Sequence, residues 1–142
     1  MIEEIIHNKS TLALIIRRDY EFEGVKFFTP EHYSQQLAYM SHKKGHIIDA
    51  HSHKNSQKII NLTQEVLVIK SGILRVDFYT SGGDYIKSKL LYSGDVILLA
   101  SQGHGFEVIE DVTMFEIKQG PFDPKLDKIK FNNIDKKSLK IE

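Results

Sequence analysis

Apolar and polar residues alternate in short runs along most of this chain. The runs are broken by Gly, Asp, Ser and Asn instead of continuing at the helical period. Successive strand side chains point to opposite faces, so such alternation predicts half-buried strands. The pattern predicts strands over residues 11–18, 24–28, 35–41, 46–53, 65–70, 73–79, 85–91, 95–99, 105–109 and 113–118. Thr80-Ser81-Gly82-Gly83-Asp84 reads as a hairpin turn, and Ser71-Gly72 and Ser93-Gly94-Asp95 as further turns. A helix start is suggested only at Pro30-Glu31-His32-Tyr33, since Pro is tolerated at a first helical position. Many short strands in one chain of domain size predict an all-β sandwich or barrel.

The same alternation assigns faces. Leu74, Val76 and Phe78 are expected in the core, with Arg75 and Asp77 toward solvent. Phe115 and Ile117 are expected to pack inward, leaving Glu116 and Lys118 as an exposed charged face. The competing assignment puts Glu116 and Lys118 in a pocket as acid/base and anion contact. The apolar run at 11–18 is a candidate sheet edge that needs cover. Residues 123–142 differ from the rest, with six lysines among sparse apolar positions. They read as a solvated tail, with Leu126, Ile129, Phe131, Ile134 and Leu139 available to pack on the barrel or a partner subunit.

Composition narrows the function. The chain has 142 residues, 41% hydrophobic and 27% charged, which suits a single domain with one core, expected over about 35–122. Lys plus Arg and Asp plus Glu are both 19, so no global field draws the chain to nucleic acid or an anionic membrane. No apolar stretch approaches the roughly 20 residues that span a bilayer as a helix. The acidic start Met1-Ile2-Glu3-Glu4 lacks the basic, then apolar, form of a signal peptide. A cytoplasmic location is expected. Without cysteine there is no disulfide, thiolate metal site or Cys nucleophile, so any metal falls to His, Asp or Glu.

His51-Ser52-His53 is the candidate chelate. On a strand these imidazoles would share a face, with α-carbons roughly 7 Å apart. His104 closes the apolar run that begins at Gly94-Asp95, and it shares strand parity with Phe106 and Val108. Gly45 precedes His51 by five intervening residues, and Glu65 precedes Gly72 by six. In this arrangement the chain resembles the first cupin motif: Gly, five residues, His-x-His, a gap, Glu, six residues and Gly. Residues 94–104 resemble the second motif, which ends in His, though the Pro and the following Asn of that motif are missing. The gap after His53 is eleven residues, where the family has three or four, so residues 54–64 are expected to form an excursion. The likeness covers about residues 45–122. Residues 65–122 also resemble small bacterial cupins associated with surface-carbohydrate pathways.

The resemblance implies a single cupin, a jelly-roll barrel, with His51, His53, Glu65 and His104 holding one divalent ion. Three imidazoles and a carboxylate suit Fe, Mn, Co, Ni or Zn. Phe106, Leu67 and Ile69 share parity with the ligands and are expected to wall a pocket. Phe106, Glu116 and Lys118 are the candidate substrate contacts, and no catalytic residue is assigned. Three functions are compatible: a metal-dependent isomerase, epimerase or dioxygenase on a small polar, sugar-like substrate; a non-enzymatic metal or small-ligand module; and a metal-free nucleotide-sugar isomerase using His51 or His53 as acid/base. A homodimer is expected through a sheet edge.

Overall fold

The computed structural model describes every residue except Leu126, which lies outside the described residues. Eight strands follow in chain order: β1 (Ile2–His7), β2 (Ser10–Ile16), β3 (Gly24–Phe27), β4 (Ala38–Ser41), β5 (Glu65–Tyr79), β6 (Tyr85–Tyr92), β7 (Val96–Leu99) and β8 (Gly103–Lys118). A 3-10 turn at Lys136–Ser138 completes the regular structure among the described residues, and none of their helices is long and apolar enough to cross a membrane. The all-β expectation holds. The chain divides into two compact units, Met1–Tyr20 with Thr63–Glu142, and Glu21–Leu62.

The larger unit is one antiparallel sheet, ordered β1-β2-β7-β5-β6, with β8 on the other edge of β5. Strand β5 organises it. Its first arm, from Glu65 to Val68, pairs with β7, and its second, from Ile73 to Tyr79, pairs with β6. Strand β8 follows both arms, with register breaks between Ile69 and Leu74. Gly72 sits at the break with φ +82°, and a Cβ there would meet the Asp111 carbonyl oxygen at 2.1 Å, so the bend requires glycine.

The bend folds the sheet over its own apolar face. Leu67 and Ile69 from the first arm share a core with Leu74, Val76 and Phe78 from the second, and with Ile5, Leu12, Ile15, Leu91, Ile97 and Leu99. Burying each large aliphatic side chain contributes about 1.5–3 kcal/mol. The product is a curled half-barrel, compatible with the jelly-roll class. At its rim, Arg17 donates to Glu3 at 2.5 Å, to the Leu90 carbonyl at 2.8 Å and to Asp95 at 2.7 Å, joining β1, β2 and the β6–β7 turn.

Several expectations change. The predicted strands 65–70 and 73–79 are one bent strand, and so are 105–109 and 113–118. Strand β1 was not predicted, and it leaves β2 inside the sheet instead of at an edge. Arg75 and Asp77 do face away from the core, but they are buried, not solvated. The C-terminal segment lies over them. Ile134 donates its N–H to the Tyr79 hydroxyl at 3.0 Å, Phe131 packs on the Tyr79 ring at 5.0 Å, and Ile141 bridges to Ser88. Arg75 is fully paired there, to Asp77 at 2.8 Å and Glu107 at 2.5 Å.

In the smaller unit, β3 and β4 form a four-pair hairpin from Gly24↔Ser41 to Phe27↔Ala38. Its loop is tied by Gln36, which accepts from the Thr29 hydroxyl at 2.8 Å and donates to the carbonyls of Pro30 and Tyr33, each at 2.9 Å. Pro30–Tyr33 is therefore a turn, not a helix start. No strand forms over 46–53. Ile47 and Ile48 are adjacent, not alternating, and among polar neighbours they present no continuous apolar face to bury.

Candidate functional site

Glu65 and His104 stand 39 positions apart in the chain, at the starts of β5 and β8. In the ladder their partners are different residues, Lys118 for Glu65 and Phe78 for His104. Extended, residues 65 to 78 would separate these points by about 43 Å, at roughly 3.3 Å per residue. The folded β5 instead brings them together, and the His104 Nε2 lies 3.1 Å from the Glu65 carboxylate. The contact follows from the bend at Gly72, not from local sequence.

Register decides what else faces this pair, because directly opposed residues in an antiparallel ladder share a face. Phe106 opposes Val76 and Val108 opposes Leu74, so both continue the interior face from His104. Glu116 opposes Leu67 and Lys118 opposes Glu65, placing these two on the interior side as well. Phe115 and Ile117 oppose Val68 and Val66 and face outward, exposed. The expectation that Phe115 and Ile117 pack inward is thus reversed, and Glu116 and Lys118 join the site. Leu67 and Ile69 are 1% exposed core residues, so they support the site from beneath and do not wall an open pocket.

The electrostatics are those of a buried carboxylate between an imidazole and an ammonium. The Glu65 side chain is 6% exposed, while His104 and Lys118 are 27% and 19% exposed. The hydrogen bond from His104 holds the Glu65 carboxyl below its usual range, against burial, which pushes it up. The Lys118 ammonium lies 3.0 Å from Glu116 and 3.7 Å from Glu65, and the Glu116 bond raises its pKa. The His104 and Phe106 rings are 5.2 Å apart.

His51 and His53 belong to the other unit, on irregular, exposed chain. Their rings meet edge to face at 5.4 Å, and the His51 Nδ1 bonds the Asp49 carbonyl at 2.8 Å. The strand geometry expected to align them is absent, because no strand forms at 46–53. Within neither unit do three or more His, Asp or Glu side chains gather as a ligand group among the described residues. The pair within the larger unit supplies one carboxylate and one imidazole, each of a type that ligates divalent ions. Their 3.1 Å separation is that of the hydrogen bond they make with each other.

Set against known protein families, curated proteins and solved structures, the chain matches none of them.

Proposed function

We propose that this chain is a cupin-type metal-binding protein, and an enzyme acting on a small polar, sugar-like molecule at the open side of the half-barrel. The observation carrying this reading is the meeting of Glu65 and His104 at 3.1 Å across the folded sheet. A buried carboxylate beside an imidazole is an N,O donor pair suited to Fe, Mn, Co, Ni or Zn. Once bound, such an ion polarises a substrate carbonyl or hydroxyl as a Lewis acid. The chain's own residues bind and orient the substrate. Phe106 offers a flat apolar surface for the C–H face of a sugar ring, and Glu116 and Lys118 offer an acceptor and a donor for hydroxyls.

The test is a titration of chelator-treated protein with Zn²⁺ or Mn²⁺, followed by calorimetry. One ion per chain is expected. Glu65→Gln and His104→Ala are each expected to weaken binding at least about a hundredfold. Absence of any stoichiometric ion would overturn the reading.

One observation favours a second reading. With Glu65 ionised, the contact is a hydrogen bond donated by His104 Nε2, which leaves Nδ1 able to accept a proton. That is an oriented general base needing no metal. It differs from the earlier metal-free expectation in using His104 instead of His51 or His53. Turnover that survives exhaustive chelation but not His104→Ala would select it.

A further inference from the structure

We propose that the outer face of the second β5 arm and the free edge of β6 form a peptide-docking groove. Its occupant, residues 131–142, is exchangeable with the same segment of a second copy of this chain. The inference is independent of the metal reading. Strand β6 ends the sheet and pairs only with β5, so its other edge is open to a further strand. The C-terminal segment adds to that edge. The Ser88 N–H donates to the Lys140 carbonyl at 2.8 Å, the Glu142 N–H donates to the Ser88 carbonyl at 3.1 Å, and Ile141 makes a parallel bridge to Ser88. The Tyr85 hydroxyl accepts from the Lys140 N–H at 2.9 Å. In such strand addition, main-chain bonds give affinity and side-chain pockets give selectivity.

The pocket is a socket for Phe131. A Cβ at Gly103 would meet the Phe131 ring at 2.7 Å, and one at Gly83 would meet it at 3.2 Å, while the Tyr79 ring lies 5.0 Å away. Gly83 has φ +94°, which its turn demands, but Gly103 has no left-handed backbone. The missing Cβ at 103 therefore serves chiefly to admit this ring. Charge fixes the direction of the segment. Lys136 pairs with Glu107 at 2.7 Å, and Glu142 pairs with Lys87 at 2.8 Å.

The connection makes exchange possible. Residues 119–130 hold no strand or helix among those described. Extended, the chain from Lys118 to Phe131 reaches about 43 Å, at roughly 3.3 Å per residue. The gap it closes within one chain is shorter. Lys118 Nζ lies 3.7 Å from Glu65, Glu65 meets His104, and His104 follows the socket residue Gly103. That slack lets the segment reach a neighbouring molecule. Phe131 and Ile141 are 37% and 51% exposed, so the segment is held at the surface and not locked into the core. Exchange keeps every contact between segment and groove, and only the cost of association opposes it.

The experiment uses two full-length variants. Phe131→Ala keeps the groove and loses the anchor, whereas Gly103→Leu keeps the anchor and fills the socket. Each alone is expected to sediment as a monomer, and an equimolar mixture as a heterodimer, because only the mixture joins an intact segment to an intact groove. A fluorescent peptide of residues 131–142 is expected to bind Phe131→Ala at least about tenfold more tightly than wild type, whose own segment competes at an effective concentration of about 1 mM. The peptide carrying Phe131→Ala should bind at least about tenfold more weakly. A mixture that stays monomeric overturns the exchange, and if the peptide still binds, the groove serves only its own chain. Peptide binding that ignores the loss of Phe131 overturns the socket. Dimers of either variant alone, as stable as the mixture, overturn the inference too, because another surface then joins the copies. Should either variant fail to fold, Lys87→Glu and Glu142→Lys take their place. Each sets like charges against one another within a chain, complementary charges meet only across copies, and the same outcomes decide.

Discussion

The two units hold their histidines by different means. In the larger unit, His104 takes its direction from a ladder that runs the length of β8, and from a core in which Leu74 and Ile97 are 0% exposed. In the smaller unit, a four-pair hairpin is followed by irregular chain in which Ile47 and Ile59 are 80% and 83% exposed. The same side chain is therefore preorganised at 104 and only locally constrained at 51 and 53. A ligand pair costs little ordering entropy when the backbone is already fixed, and more when it is not.

This contrast is sharpest in stability. Leu74→Ala or Ile97→Ala is expected to lower unfolding free energy by about 2–5 kcal/mol, because each opens a cavity in a closed core. Ile47→Ala and Ile59→Ala should change it by less than about 0.5 kcal/mol, as for ordinary surface positions. Denaturant unfolding measures both. Comparable losses in the two units would show that the smaller one carries its own buried core, and the comparison would break.

The covered face of the second β5 arm comes next in size. Arg75→Ala would leave the Asp77 carboxylate, 4% exposed, without its ion-pair partner. Removing one partner of a buried pair costs about 3 kcal/mol or somewhat more. Asp77 keeps the Ser88 hydroxyl at 2.5 Å, which places the expectation at the low end. Cutting the chain before Phe131 should expose the same groups and give a loss of similar size. If truncation leaves stability unchanged, the segment does not supply the cover.

How far these features were legible depends on whether a neighbour in the sequence or a distant one decides them. Strands β2, β6 and β7 could be read because alternation and nearby turns specify them. The bend in β5 could be half read: Ser71-Gly72 signals a break, but only the approach of Asp111 turns that break into a bulge inside a continuous strand. Alternation correctly sends Arg75 and Asp77 outward. It cannot say that residues more than fifty positions later will cover them. Phe115 and Ile117 were sent the wrong way because apolar identity suggested burial, whereas opposition to Val68 and Val66 fixes them outward. The Glu65–His104 pair was singled out by motif resemblance; its geometry comes from a fold-back that no local pattern contains. Strand β1 was missed because Glu3 and Glu4 made it look like a polar terminus. The structure uses Glu3 as a partner for Arg17 and Lys89.

That pairing gives the larger unit an acid dependence. The hydrogen bond from Arg17 lowers the Glu3 pKa despite partial burial, with Lys89 adding to the effect. A carboxylate whose folded pKa lies below its unfolded value stabilises the fold above the unfolded pKa. That contribution is lost as pH falls through the lower, folded value. Melting temperature should therefore decline as pH drops below about 4.3, the unperturbed Glu value. Glu3→Gln should flatten part of this decline while lowering stability at pH 7 by about 1 kcal/mol. A variant whose acid curve is superimposable on wild type would remove Glu3 from the account.

The smallest expected effect tests the histidines themselves. His104→Ala removes the donor to Glu65 but leaves Lys118 beside that carboxylate, so the loss should be about 1 kcal/mol, not the full cost of an unpaired buried charge. His51→Ala and His53→Ala remove exposed rings on irregular chain, and each should change stability by less than about 0.5 kcal/mol. Added zinc should then separate the two kinds of position. If His51 and His53 are ligands, saturating zinc stabilises wild type more than either variant, since only binding to the folded state raises stability. The difference between melting curves with and without zinc thus reads the role of these rings independently of their small structural contribution. Identical zinc-induced shifts in wild type and His51→Ala would confine the binding chemistry to Glu65, His104 and their neighbours on β8.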